Sequence, residues 1–144
     1  MVPGDLTVLA SPVGMELLSS RIPARVGYLT RAGEPRVVPL WFHWDGTELV
    51  VATFAGSPKL GHVRTGDRLA VSIDTEEFPY RALQIRGPVT VTPHDGMVPE
   101  YEVAARRYLG DAEGAAFVAG IRPPPVMTRI ALRPDWARAM TMRP

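Results

Sequence analysis

The dipeptide Asp45-Gly46 lies between two apolar runs and constrains the fold of this chain more than any other feature. Asp-Gly in this setting is among the strongest signals for a tight β-hairpin, because both turn positions favour a positive φ. We therefore predict that a strand over residues 36–44 turns back into an antiparallel strand over residues 47–53. A strand pair of this kind needs further strands, or closure of the sheet, to protect its edges.

Four further segments show strand patterns, over residues 24–31, 68–75, 80–92 and 126–132, and the longest contains a Gly-Pro bend at 87–88. Helical spacing occurs at residues 12–20, 57–65, 98–109 and 111–119. Six strands joined mostly by hairpins predict a mainly β (α+β) fold, a six-stranded antiparallel barrel with peripheral helices. We expect one domain over residues 1–144, in which residues 1–20 form an N-terminal arm and a short helix. Residues 1–10 are predicted to be a loose arm and residues 134–142 a tail.

Composition excludes several classes of function. Lys and Arg together number 16 and Asp and Glu 15, so the charge balance gives no case for a nucleic-acid partner. The absence of cysteine excludes disulfides, thiolate metal sites and a cysteine nucleophile. No apolar run approaches the length of a membrane span, so we expect no membrane partner and a cytoplasmic protein.

The segment after the second hairpin strand has the composition of an anion-binding turn. Gly56 permits a sharp turn, and Ser57-Pro58 is a typical helix start, with the serine as N-cap and the proline at the first helical position. Lys59 then places a cation where the helix dipole does not favour one. A phosphate bound by the N–H groups, the hydroxyl and the ammonium would resolve that conflict. The alternative is an ordinary connection whose lysine extends into solvent.

Side-chain chemistry is otherwise sparse, and we assign no catalytic residue. His43, His62 and His94 lack partners at metal-ligand spacing, so no metal site is predicted. No Gly-x-Ser-x-Gly elbow is present, which disfavours a hydrolase. The adjacent pair Glu76-Glu77 is best explained as a solvated turn. If the chain is an enzyme, a bound cofactor must carry the reaction.

Five motifs occur in a characteristic order: Val38-Pro39-Leu40-Trp41-Phe42 with Trp44-Asp45-Gly46, Val51-Ala52-Thr53-Phe54-Ala55-Gly56-Ser57-Pro58-Lys59, Arg68-Leu69-Ala70-Val71-Ser72-Ile73, Gln84-Ile85-Arg86-Gly87, and Arg133-Pro134-Asp135-Trp136. This order resembles the pyridoxamine 5′-phosphate oxidase-like superfamily of FMN-binding split-barrel flavin and deazaflavin oxidoreductases, over residues 20–136. The resemblance implies a split β-barrel that forms a homodimer with cofactor sites at the subunit interface. It also implies FMN as cofactor, with the deazaflavin F420 as the alternative.

The resemblance further implies which residues bind the cofactor. The segment that holds its phosphate corresponds to Thr53, Ser57, Pro58 and Lys59. The strand that flanks its ring corresponds to Val38, Pro39, Leu40 and Trp41, for each of which core packing is the alternative role. Two further candidates are Gln84, which would face the ring, and Trp136, which would close the site from the partner chain or else only pack the C-terminus.

The sequence also departs from the family pattern. Flavin-binding oxidases of this kind carry an arginine where this chain has Pro58, and Arg36 is the only basic residue on the strand that also reaches the phosphate. The residues that bind vitamin B6 in true pyridoxamine phosphate oxidases have no clear counterpart. The longer tail of F420 could instead use Arg64 or Arg81.

From these features we expect an FMN-binding oxidoreductase that transfers hydride between the bound flavin and a small organic substrate. A deazaflavin-dependent reductase is the alternative within the same class. From another class, a non-catalytic protein that binds flavin or haem, or a dimeric structural module, also fits the pattern.

Overall fold

A computed structural model describes residues 4–142. The strands are β1 (Ala24–Leu29), β2 (Pro35–Leu40), β3 (His43–Trp44), β4 (Leu49–Phe54), β5 (Arg68–Asp74), β6 (Arg81–Asp95), β7 (Val126–Leu132) and β8 (Trp136–Thr141). The helices are α1 (Pro12–Leu18), α2 (Pro99–Leu109) and α3 (Asp111–Ala119), and a 3₁₀ helix covers Leu6–Ala10. The fold is a mainly antiparallel split barrel with peripheral helices, as predicted.

The long strand β6 joins the two halves of the sheet. Its first half pairs with β5 and β8, and from Val89 onward it pairs with β7 instead. The order of strands is β2-β1-β5-β6-β7-β4-β3, and β8 lies beside β6 off this path. The change of partners coincides with the predicted bend at Gly87. A Cβ at this glycine would lie 2.0 Å from the carbonyl oxygen of Arg133, so only glycine fits where the β7–β8 connection crosses the strand.

The core lies between the two halves of the barrel and follows the period of two that strands impose. β1 and β5 each alternate between buried and more exposed residues, with Val26, Val71 and Ile73 inside. β4 differs because it is buried from Leu49 through Thr53. It has β3 and β7 as neighbours and is covered on both faces, which explains its continuous apolar run.

The structure contains eight strands where the sequence analysis predicted six. The predicted strand over residues 36–44 is interrupted at Trp41-Phe42 and forms β2 and β3. The predicted tail contains β8, whose Ala137 is buried and pairs with Ile85. The predicted loose arm contains the 3₁₀ helix, and the Asp5 N–H donates to the Ala137 carbonyl at 2.9 Å. Residues 1–3 of that arm lie outside the described residues.

The predicted helix over residues 57–65 is wrong. The segment is a series of turns, with Leu60 at φ +57° and i→i+3 bonds such as Val63 N–H to the Leu60 carbonyl. Leu60 and Val63 are buried in the main core, and their burial overrides the weak helical tendency of a segment that contains Gly61. The Arg31 guanidinium also holds these turns, because its Nε donates to the His62 carbonyl at 3.0 Å.

The helices α2 and α3 form a hairpin over β3 and β4, and both have the predicted bounds to within one residue. Gly110, at φ +93°, connects them. Gly114 permits their close approach, since a Cβ there would lie 2.5 Å from the Cα of Arg106. Among residues 4–142, no helix has both the length and the apolar character needed to cross a membrane.

Candidate functional site

A cleft of about 260 Å³ lies at the end of β4, where β2, the following turn and α2 converge. It is lined by Pro39, Leu40, Trp41, Ala52, Thr53, Phe54, Ser57, Lys59 and Tyr101. Three residues that the sequence analysis assigned to the phosphate (Thr53, Ser57, Lys59) and three that it assigned to the ring (Pro39, Leu40, Trp41) therefore meet in one place. The cleft has a polar end at the turn and an apolar end beside the helices.

The polar end consists of two hydroxyls and one ammonium. Thr53 is only 8% exposed, yet its hydroxyl makes no hydrogen bond to any residue from 4 to 142. The Ser57 hydroxyl accepts the Lys59 N–H at 3.2 Å, which leaves its own O–H free to donate. Lys59, the chain's single lysine, forms no ion pair within the described residues. Unpartnered donors around one opening suit a bound anion.

The correction to the helix changes how this end is built. The first-turn N–H groups and dipole of a helix are not present, so the predicted phosphate site loses that contribution. What remains is the serine turn, in which Gly56 at φ +82° redirects the chain after β4. The site depends on side-chain donors from Thr53, Ser57 and Lys59.

The apolar end is dominated by aromatic rings. Trp41 stacks on Tyr108 with ring centroids 5.3 Å apart and contacts Tyr101 and Phe117 at 5.5 Å and 5.6 Å. Phe54 contacts Tyr101 edge-on at 5.8 Å. Burial raises the pKa of Tyr101, so its phenol stays neutral at physiological pH. This part of the cleft therefore presents flat and uncharged surfaces.

An ion pair fixes α2 above the cleft. Both Arg129 Nε and Nη2 donate to the Glu100 carboxylate at 3.0 Å. These hydrogen bonds, and the positive charge, hold the pKa of Glu100 below its usual range. Arg129 pairs across the sheet with Ala52, which lines the cleft, and Glu100 precedes Tyr101. The pair therefore positions Tyr101 against β4.

Four predicted site residues lie elsewhere within this chain. Val38 packs against the main core, and Pro58 is exposed and does not line the cleft. Gln84 lines a separate opening of about 300 Å³ together with Val37. Trp136 lies under the Arg86 guanidinium, whose Cζ is 4.0 Å from the ring. A role for Gln84 or Trp136 at a cofactor requires a second copy of the chain.

Sequence reasoning missed Tyr101 and the exposed ring of Phe54. Helical spacing placed Tyr101, Ala104 and Tyr108 on one face of the predicted helix, which indicated that this face packs against something. No local pattern specified which strand it would meet. Within the described part of the chain, no three His, Asp or Glu side chains are grouped closely enough to hold a metal ion.

Comparison with known protein families assigns this chain to one of them. A sequence profile of the family described as pyridoxamine 5′-phosphate oxidase matches residues 15–141. The chain belongs to this family. The match covers the whole barrel from α1 to β8, so the resemblance that rested on five motifs is confirmed. No curated protein sequence gives a significant match to the chain.

Solved structures of the same fold belong to proteins with different names. An F420 reductase is 23% identical with a TM-score of 0.62, covering 85% of this chain and 93% of its own. A conserved hypothetical protein of Mycobacterium tuberculosis is 16% identical with a TM-score of 0.68, covering 99% of this chain and 89% of its own. An FAD and haem binding protein of Mycobacterium smegmatis is 21% identical with a TM-score of 0.60, covering 93% of this chain and 72% of its own. At these identities the likeness shows the fold alone.

Proposed function

We propose that this protein is an FMN-binding oxidoreductase that transfers hydride between the bound flavin and a small organic substrate. The observation that carries the proposal is the cleft at the end of β4, where anion-binding groups and an apolar aromatic wall face the same space. A flavin cofactor has both parts, a terminal phosphate and a flat ring system. The deazaflavin F420 shares them and is the alternative cofactor.

The donor set at the polar end fits a phosphate. The Lys59 ammonium and the hydroxyls of Thr53 and Ser57 are the three groups that would hold it, and none of them has another charged partner in the described chain. Hydrogen bonds between such groups and an anion are charge-assisted and therefore strong. Because Pro58 stands in the place of the arginine that flavin-binding oxidases carry, Lys59 is the only cation among residues 4–142 that lines the cleft.

The apolar end fits a ring system. Pro39, Leu40 and Trp41 supply an apolar wall at the end of β2. These side chains exclude water from the space beside them, which protects a hydride from solvent protons. The cofactor would supply the two-electron chemistry, while the chain orients it and keeps the site dry. No side chain is assigned as the proton donor.

The size of the cleft supports a homodimer. Its volume of about 260 Å³ is below the range of about 300–1,000 Å³ typical of ligand sites. Val37 on β2 is 69% exposed. Pro39, two residues further along the same strand, points to the same face as Val37 and lines the cleft. Gln84 lies on this face as well, beside Val37. A second copy seated on the outer face of β1, β2 and β5 would enlarge the cleft and bring Gln84 towards its partner's site.

The proposal is tested by titrating cofactor-stripped protein with FMN and with F420 while following quenching of cofactor fluorescence. Lys59→Met is expected to raise the Kd by about tenfold to a hundredfold, because it removes a charge-assisted contact of about 1.5–3 kcal/mol. Arg133→Met removes an exposed cation outside the cleft and should leave the Kd within about twofold of wild type. Thermal unfolding of both variants shows whether the fold is intact.

The possible outcomes separate the candidate functions. Equal affinities for wild type and Lys59→Met would remove the phosphate site. Tight binding of FMN or F420, with turnover of the reduced form in the presence of an acceptor, supports the enzyme. Tight binding without turnover favours the non-catalytic alternative, a protein that only binds flavin or haem. The single lysine adds a second test, because bound cofactor should protect Lys59 from amine-reactive reagents.

A further inference from the structure

Four aromatic rings form a continuous surface along the apolar end of the cleft, which we term the aromatic rim: Phe54, Tyr101, Trp41 and Phe117. Successive ring centroids are 5.8 Å, 5.5 Å and 5.6 Å apart, within the range of favourable aromatic contacts. The rim begins at the end of β4, crosses α2 and the β2–β3 connection, and ends on α3. It extends beyond the cleft, because Phe117 is not part of the cleft lining.

The two ends of the rim are exposed, which is unusual for large aromatic side chains. Phe54 is 39% and Phe117 44% exposed, whereas Trp41 and Tyr101 between them are partly buried. On α3, Ala116 and Ala119 beside Phe117 are also exposed. Exposed apolar surface that continues into a cleft is typical of ligand-binding grooves.

The rim is electrically neutral. Its one ionisable group is the Tyr101 phenol, whose pKa is raised by burial. Within the described part of the chain, Lys59 at the polar end is the only cation that lines the cleft. A charged ring placed on the rim would lose hydration without gaining a counter-ion. A neutral aromatic ring would gain stacking and edge-to-face contacts together with apolar burial.

We propose that the aromatic rim is the acceptor-binding surface and that it selects flat, uncharged aromatic substrates over charged or non-planar ones. This inference rests on the proposed function, because it assigns the substrate class of the same cleft. The acceptor would then lie on the rim beside the cofactor's ring, which Pro39, Leu40 and Trp41 flank, while the Thr53–Lys59 end holds the phosphate.

A second copy of the chain is a less suitable occupant of the rim. The exposed face proposed for dimerisation belongs to β1, β2 and β5, whereas the rim is built from the β2–β3 connection, β4, α2 and α3. Covering the rim in a dimer would also close the open side of the cleft. The experiment described next distinguishes an aromatic ligand from a partner chain as the occupant of the rim.

The experiment measures binding of three probes by equilibrium dialysis: 1,4-naphthoquinone, its 2-sulfonate, and cyclohexane-1,4-dione. They present a flat neutral ring, the same ring with a negative charge, and the same two carbonyls on a ring that is not flat. Wild type should bind 1,4-naphthoquinone most tightly. Phe117→Ala and Phe54→Ala should each weaken that binding by about threefold to tenfold, the effect of losing one aromatic contact.

Phe78→Ala is the matched control. Phe78 is 59% exposed and contacts Tyr80 edge-on at 5.5 Å, but it does not line the cleft. Its replacement should leave naphthoquinone binding unchanged. Lys59→Met separates the two proposals, because it should weaken FMN or F420 while leaving naphthoquinone binding to stripped protein within about twofold of wild type.

Three results would overturn the assignment. The first is equal naphthoquinone affinity in wild type, Phe117→Ala, Phe54→Ala and Phe78→Ala. The second is tighter binding of the sulfonate than of the neutral ring, which would show that Lys59 and not the rim selects the ligand. The third is loss of the dimer in Phe117→Ala without a change in probe binding, measured by sedimentation, which would make the rim a subunit contact. Failure of cofactor binding alone, with the probe order intact, would refute the proposed function instead.

Discussion

Replacing Arg129 with Met tests whether the ion pair with Glu100 holds α2 on the barrel. Three contacts of 3.0–3.3 Å join the guanidinium to the carboxylate, and the two side chains are only 27% and 21% exposed. Loss of hydrogen bonds to a charged group costs about 1.5–3 kcal/mol, and the carboxylate is left partly buried and unpaired. We expect the free energy of unfolding to fall by about 2 kcal/mol and Tm by about 7 °C.

The loss should depend on pH in a defined direction. The pKa of Glu100 is lowered in the folded state from its ordinary value of 4.5, mainly by the hydrogen bonds from Arg129. A lowered folded pKa contributes stability above the unfolded pKa, and that contribution disappears as the pH falls through the folded value. The difference between wild type and Arg129→Met should therefore be full at pH 7 and shrink as the pH falls below 4.5, the unfolded pKa. His43, Asp45 and Glu48 also act electrostatically on this pair and are left in place.

Urea unfolding followed by circular dichroism at pH 7, 5 and 3.5 measures this difference. The control is Arg106→Met on the same helix, whose partner Glu102 forms a more exposed pair, 44% and 41%, and which should cost no more than about 1 kcal/mol. Losses of the same size in the two variants, or a loss from Arg129→Met that does not change between pH 7 and 3.5, would refute the reasoning.

Two further substitutions test how α2 and α3 are held. Gly114→Ala would place a Cβ 2.5 Å from the Cα of Arg106, so α2 and α3 would have to separate. We therefore expect the free energy of unfolding to fall by about 1–3 kcal/mol and naphthoquinone binding to weaken. Tyr108→Phe removes the hydrogen bond of 2.9 Å to the Ile22 carbonyl and should cost about 1 kcal/mol, while the stacking on Trp41 and hence probe affinity are preserved. Urea unfolding and dialysis measure both; an unchanged stability in either variant contradicts the corresponding contact.

The parts of the fold that sequence predicted are those that local chemistry specifies. Asp45-Gly46 predicted the β3–β4 hairpin, although its loop covers residues 45–48 and β4 begins at Leu49 because the Asp45 carboxylate accepts the N–H groups of Thr47 and Glu48. The strand β7 has the predicted bounds of residues 126–132. Gly110 separates α2 from α3 because a positive φ ends the first helix there. In each case a turn residue and the periodicity of the apolar residues indicate the same structure within a short stretch of sequence.

The parts that sequence did not predict depend on distant contacts. The segment 57–65 has a helix-start signature, but Leu60 is buried in the barrel core and draws the chain into turns. β8 has no clear alternation, and its pairing with β6 is what makes it a strand. Dependence on distant contacts also limits prediction of the site. Thr53, Ser57 and Lys59 lie within seven residues of one another in sequence, whereas Tyr101 reaches the cleft only because its helix packs against the barrel.

This difference in origin gives the two ends of the cleft different sensitivity to substitution. The polar end is built by one short segment after β4, so it persists whenever that turn is kept. The aromatic rim requires the α2–α3 hairpin to be seated by Glu100–Arg129 and by the close approach at Gly114. Changes in the helices should therefore alter which acceptor binds to the proposed rim and leave the proposed phosphate contacts intact. If the turn after β4 binds the cofactor as proposed, a split barrel can serve different acceptors through changes in its helical insertion alone.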